Sequence, residues 1–238
     1  MNLLTIGNSF SQDATRYLHG IAAAGGVNLS VVNIEIGGCP LSKHYRNMMG
    51  DFKAYSLECD GRSTGFSVSI KEALLNRDWD VISLQQVSHL SAKYDTYQPF
   101  IGELAKYIRS FQPKAKLAVH ETWAYEEGSE RLKAVAGFDS RKDMYGALHG
   151  AYMKAASDIG AEIFIPSGTL FEKISDAGIE KVHRDTFHAS LGAGRYALGL
   201  IWYHILTGNP VKDNGYAAFD EPVSEKEIEI IKSCVDSM

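Results

Sequence analysis

At 238 residues the chain is long enough to bury a sizeable core in one α/β domain, and its 45% hydrophobic and 22% charged residues are ordinary for a soluble globular protein. A net charge of -5 and a pI near 5.9 argue against nucleic acid as a partner, and no apolar run reaches membrane-spanning length. Cys39, Cys59 and Cys234 are odd in number and fit neither a disulfide framework nor a metal template.

Met1 leads straight into an apolar run with no charged segment before it, so no signal peptide is expected. As written the chain reads as cytoplasmic, or as secreted or periplasmic if a leader precedes it. Leu3 to Ile6 reads as a buried strand ending at Gly7, and residues 13–24 carry apolar side chains at helical spacing. A second strand spans 30–36 and is closed by Gly37-Gly38. A helix covers 70–75, a third strand 80–84, a helix 97–111 stopped by Pro113, and a fourth strand 116–120. A long helix over 144–159 ends at Gly160, a fifth strand covers 162–165, and helices over 191–206 and 225–235 close the chain. Strands alternating with helices imply βαβ units. The expectation is therefore a single domain over 1–238, with a five-stranded parallel sheet covered on both faces.

In such sheets ligands bind beyond the carboxyl ends of the strands. Polar residues recur there. Ser9 in Gly7-Asn8-Ser9-Phe10-Ser11 follows the first strand, where its hydroxyl would be exposed and its N–H would sit at a helix N-terminus, apt for an oxyanion. Capping by Ser9 or Ser11 is the plain alternative. Gly38 follows the second strand and can aim a backbone N–H at a substrate. Gln85 and Gln86 follow the third, where a carboxamide can donate to an oxyanion. Arg184-Asp185-Thr186-Phe187-His188 lies after the fifth, and an aspartate three residues before a histidine can supply base and orienter together.

Together the segments GNSFS, GGCPL, LQQVSH, HETWAY and DTFHAS resemble the block pattern of the SGNH (GDSL-type) hydrolases across Ile6 to Ser190. They look most like an uncharacterised group of SGNH-like bacterial proteins, many from gut Bacteroidetes. The resemblance implies a flavodoxin-like three-layer α/β/α fold and ester hydrolysis by a Ser-His-Asp triad. It implies Ser9 as nucleophile, His188 as base, Asp185 as its orienter, and an oxyanion hole from Ser9, Gly38 and Gln85. One block departs: where the family usually carries Asn in G-x-N-D, this chain has Gln85-Gln86, more like the Gln of the carbohydrate acetylesterase branch.

The expected substrate is a small-molecule or carbohydrate ester, contacted by Gln86, His120 and Trp123, with no cofactor, metal, nucleic acid or membrane involved. The charged stretch 123–141 is expected to lie over the site, as a lid or a solvated loop. Two other readings compete. One is a carbohydrate-binding protein that has lost hydrolysis, suggested by the Gln-for-Asn change. The other is a metal-dependent hydrolase built on His183, Asp185, His188 and a distant histidine.

Overall fold

The computed structural model describes residues 1–238. The first strand, β1 (Asn2–Gly7), feeds two short helices, α1 (Ser9–Thr15) and α2 (Leu18–Ala24), where one longer helix was expected. β2 (Ser30–Glu35) is followed by α3 (Leu41–Gly50), β3 (Tyr55–Cys59), β4 (Arg62–Val68) and α4 (Ile70–Leu75). β5 (Val81–Leu84), α5 (Phe100–Phe111) and β6 (Lys116–His120) come next. The rest of the chain forms α6 (Arg141–Ile159), β7 (Ile163–Ile165), α7 (Ser167–Asp176), α8 (Ala193–Thr207) and α9 (Glu225–Asp236).

The sheet has seven strands in the order β4-β3-β2-β1-β5-β6-β7. The five expected strands are all present and all parallel, from β2 to β7. The expected five-stranded sheet is corrected by the β3–β4 hairpin, which adds two antiparallel strands beside β2. Asp60 and Gly61 form its turn, both with positive φ (51° and 76°), the backbone a tight two-residue hairpin requires.

Leu3, Leu4 and Ile6 of β1 and Val81, Ile82 and Leu84 of β5 are buried, as strands covered on both faces must be. α1, α2, α7, α8 and α9 pack together on one face, and α3, α4, α5 and α6 on the other. The three layers share one hydrophobic core, to which nearly every strand and helix contributes.

Strand order reverses between β1 and β5, so their carboxyl ends diverge there and open a crevice. Ser9, Gly38 and Gln85 follow the three strands around that point, β1, β2 and β5.

Candidate active site

Asn8, not either serine, caps α1: its side chain accepts from the Phe10 N–H at 3.1 Å. Ser11 is buried and donates to Asn33 Oδ1 at 2.8 Å, joining a polar network under the helix. Ser9 is thereby free of both roles. Its Oγ lies 2.9 Å from His188 Nε2, although 179 residues separate the two in sequence.

His188 sits in a short hairpin-like loop. Arg184 N–H donates to the His188 carbonyl at 3.0 Å, and Ser190 N–H donates to Val182 at 2.8 Å. Asp185, Thr186 and Phe187 form the tip. The Asp185 carboxylate turns back on the loop, with Oδ2 2.8 Å from His188 Nδ1 and Oδ1 accepting the His188 backbone N–H at 2.9 Å. Thr186 holds a left-handed backbone (φ 73°) to permit that turn. Burial opposes ionisation of Asp185, but the bonds from the His188 ring and N–H hold its carboxyl below the usual carboxylate range. The carboxylate therefore stays charged, fixes the proton on Nδ1 and leaves Nε2 to accept from Ser9.

Gln85 and Gln86 divide sharply. Gln86 is fully committed to structure: Oε1 accepts from the N–H groups of Leu41 (3.0 Å) and Val87 (2.9 Å), and Nε2 donates to Thr96. Gln85 belongs to the crevice, where Nε2 donates to Asn8 Oδ1 at 2.8 Å and Oε1 lies 2.7 Å from His120 Nδ1. Since Oε1 can only accept, His120 carries its proton on Nδ1, and Nε2 accepts from Ser167 Oγ at 3.1 Å. Burial pushes His120 down to about 3, which keeps the ring neutral in this chain of bonds. Gly7 lets Gln85 come this close, because a Cβ there would stand 3.1 Å from Gln85 Cδ and 2.5 Å from Ser11 Oγ.

Asn8 is the residue that sequence reasoning missed. Besides capping α1 and holding Gln85, it donates from Nδ2 to the Cys39 carbonyl at 3.2 Å, so it links the loops after β1, β2 and β5. Gly38, next to Cys39, is exposed, has φ 63°, and its N–H meets no protein acceptor. Cys39 itself is buried, and burial pushes its thiol up to about 12.

Three expected substrate contacts are placed elsewhere. Gln86, His120 and Trp123 are all buried. Trp123 stacks between Phe10 (4.2 Å) and Phe171 (4.7 Å), and its Nε1 donates to the Phe187 carbonyl at 2.8 Å. The neighbours of Ser9 and His188 thus rest on a tryptophan in the core, not on one facing a sugar. The stretch after Trp123 divides too: Ala124 and Tyr125 are buried, and a single turn over Leu132–Ala136 stands beside the Asp185–His188 loop. There Arg131 lies 3.8 Å over the Phe187 ring, which in turn lies 3.8 Å from the His188 ring. A cleft of about 380 Å³ lined by Glu130, Arg131, Ala134, Val135 and Thr186 borders this turn. A separate cleft of about 520 Å³ beside Arg16, Tyr17 and Arg62 does not include Ser9 or His188.

The donor set suggested for a metal does not converge. His183 Nε2 lies 3.0 Å from the Ala124 carbonyl, and burial pushes the ring down to about 4. No group of three or more His, Cys, Asp or Glu side chains is close enough to hold an ion.

The chain belongs to the DUF4886 family, described as a domain of unknown function, whose model matches residues 2–237. It is similar to a solved DUF4886 family protein from Bacteroides uniformis, with 33% identity over 100% of this chain and 93% of that one, at a TM-score of 0.92. A candidate SGNH hydrolase from Slackia heliotrinireducens matches at 23% identity and a TM-score of 0.64, over 87% of this chain and 98% of the other. The acetylxylan esterase Axe2 from Geobacillus stearothermophilus matches at 14% identity and a TM-score of 0.51, over 91% and 94% of the two chains. The fold is therefore that of the SGNH hydrolases. A search of curated proteins gives no match.

Proposed function

We propose that this DUF4886 chain is a serine esterase that removes a small acyl group, such as acetyl, from a carbohydrate. The observation that carries the reading is the continuous chain from Ser9 Oγ through His188 to the Asp185 carboxylate, at 2.9 and 2.8 Å. A neutral hydroxyl is a poor nucleophile, and an oriented imidazole within hydrogen-bond reach is what activates it.

Ser9 Oγ attacks the ester carbonyl carbon as His188 Nε2 takes its proton, and the carbonyl π pair moves onto oxygen. The oxyanion is received by the Ser9 N–H, which has no intrahelical acceptor at the start of α1, and by the free Gly38 N–H. The second N–H of Gln85 Nε2 is the third donor, the first being held by Asn8. Collapse breaks the bond to the sugar oxygen, which takes the proton from His188. Water activated by the same imidazole then hydrolyses the acyl-serine, releasing the acid and restoring Ser9.

The openness of the site supports a bulky polar alcohol. The Asp185 side chain is 46% exposed, and Gly38 stands at the surface. The cleft beside the Asp185–His188 loop is lined by Glu130, Arg131 and Thr186 as well as by Ala134 and Val135, which suits a polar substrate group. The shared fold with an acetylxylan esterase points the same way.

The test is acetate release from p-nitrophenyl acetate and from acetylated xylo-oligosaccharides. Wild type is expected to turn over both, with Ser9→Ala and His188→Ala reduced to background. An equally active Ser9→Ala protein would refute the reading, and sugar binding without turnover would favour a binding protein instead.

A further inference from the structure

Asp13 is fully buried in α1, one helical turn beyond Ser9. The mechanism makes no use of it. Burying a carboxylate is costly unless charged or hydrogen-bonding partners compensate, so its partners deserve an explanation. Oδ1 accepts from Arg195 Nε at 2.9 Å, and both oxygens accept from Arg184 Nη1 at 2.9 Å. Oδ2 also accepts the backbone N–H of Ala189 at 3.2 Å.

Two of these partners are Arg184, immediately before Asp185, and Ala189, immediately after His188. Arg184 Nη1 also donates to the Ala189 carbonyl, which closes the base of the loop around Asp13. The bonds inside the loop give it shape but do not locate it relative to α1. The third partner, Arg195, lies in the first turn of α8 and extends the network through Asp220 to Arg16. One carboxylate therefore rides on the helix that presents Ser9 while gripping both ends of the segment that presents His188.

We infer that Asp13 is the positioning residue that sets the separation of Ser9 Oγ and His188 Nε2. The inference rests on the esterase reading for its kinetic consequence, though not for its geometric one. A displacement of about 1 Å between reacting groups can cost about 100-fold in rate.

The test uses Asp13→Asn, which keeps shape and removes charge, in the full chain. Hydrolysis of p-nitrophenyl acetate is measured per serine titrated by a fluorophosphonate, alongside a crystal structure of the variant. The expected result is a kcat per titrated serine lower by roughly 10- to 100-fold, with KM within about twofold and the Ser9–His188 contact lengthened beyond hydrogen-bond distance. A folded variant with wild-type kcat per titrated serine overturns the proposal. So does a lower titre with unchanged kcat, because that is loss of stability alone. Should Asp13→Asn fail to fold, Arg184→Lys is read by the same criteria, with a smaller drop expected. If wild type and Ser9→Ala prove equally inactive, the esterase reading fails, while the contact distance in the variant still decides the role of Asp13.

Discussion

Asn8 takes over the cap of α1 and leaves the Ser9 hydroxyl with a single partner, His188. Ser9, Asp185 and His188 were legible as candidates from their positions after strands and the Asp-x-x-His spacing taken together with the SGNH block pattern, and the fold brings the three within hydrogen-bond reach. Asn8 was not, because its bonds run to Cys39 and Gln85, in segments only the fold brings together. Gln85 was favoured over Gln86 only by the resemblance to the acetylesterase segment; in the fold Gln85 bonds to Asn8, while Gln86 is taken up by Leu41, Val87 and Thr96. His120 was misjudged for the same reason. It stands behind Gln85 and fixes which end of that carboxamide is the donor. Loss of one oxyanion donor costs about 10²–10³ in kcat. Gln85→Ala should therefore fall by about that factor on p-nitrophenyl acetate with KM little changed, and a Gln85→Ala enzyme with wild-type kcat would remove the residue from the oxyanion hole.

At the scale of elements, the strands and most helices follow from hydrophobic periodicity, and the errors have identifiable sources. The β3–β4 hairpin carries a readable Asp60-Gly61 turn, but β4 is an exposed edge with little apolar patterning to mark it as a strand. The helices α3 and α7 are short, ten residues each, and start directly after Pro40 and Pro166, so they read as continuations of the turns after β2 and β7. Trp123 illustrates a deeper limit: an aromatic after a strand reads equally well as a stacking platform or as core. Here it joins Phe10 of α1 to Phe171 of α7 and anchors the Phe187 carbonyl. Removing a large buried aromatic typically costs about 3–5 kcal/mol. Trp123→Ala is expected to lose stability on that order in urea unfolding, whereas a loss below about 1 kcal/mol would mean that the ring is not packed as described.

Across the whole molecule, the parallel sheet covered on both faces was legible in the alternation of strand and helix signals, whereas the strand order and the crevice between β1 and β5 emerge only in the fold. Burial of charge was not. Burial pushes His44 and His120 down to about 3 and His183 to about 4. The folded protein holds them neutral, while the unfolded chain protonates them near pH 6.5. Their contribution to stability is therefore present above about pH 6.5 and is lost as pH falls toward 4. His149, raised by its bond to Glu121, and Glu35 and Glu172, raised by burial, act in the opposite sense by smaller amounts. The urea midpoint should drop between about pH 7 and pH 5; a flat or rising midpoint would contradict the burial of these rings. The central claim, that distant parts of the chain meet to activate Ser9, is tested most directly by mass spectrometry after reaction with a fluorophosphonate. The account predicts one adduct per chain, located on Ser9, absent in Ser9→Ala and formed far more slowly in His188→Ala; an unlabelled wild type, or an adduct on any other residue, would contradict it.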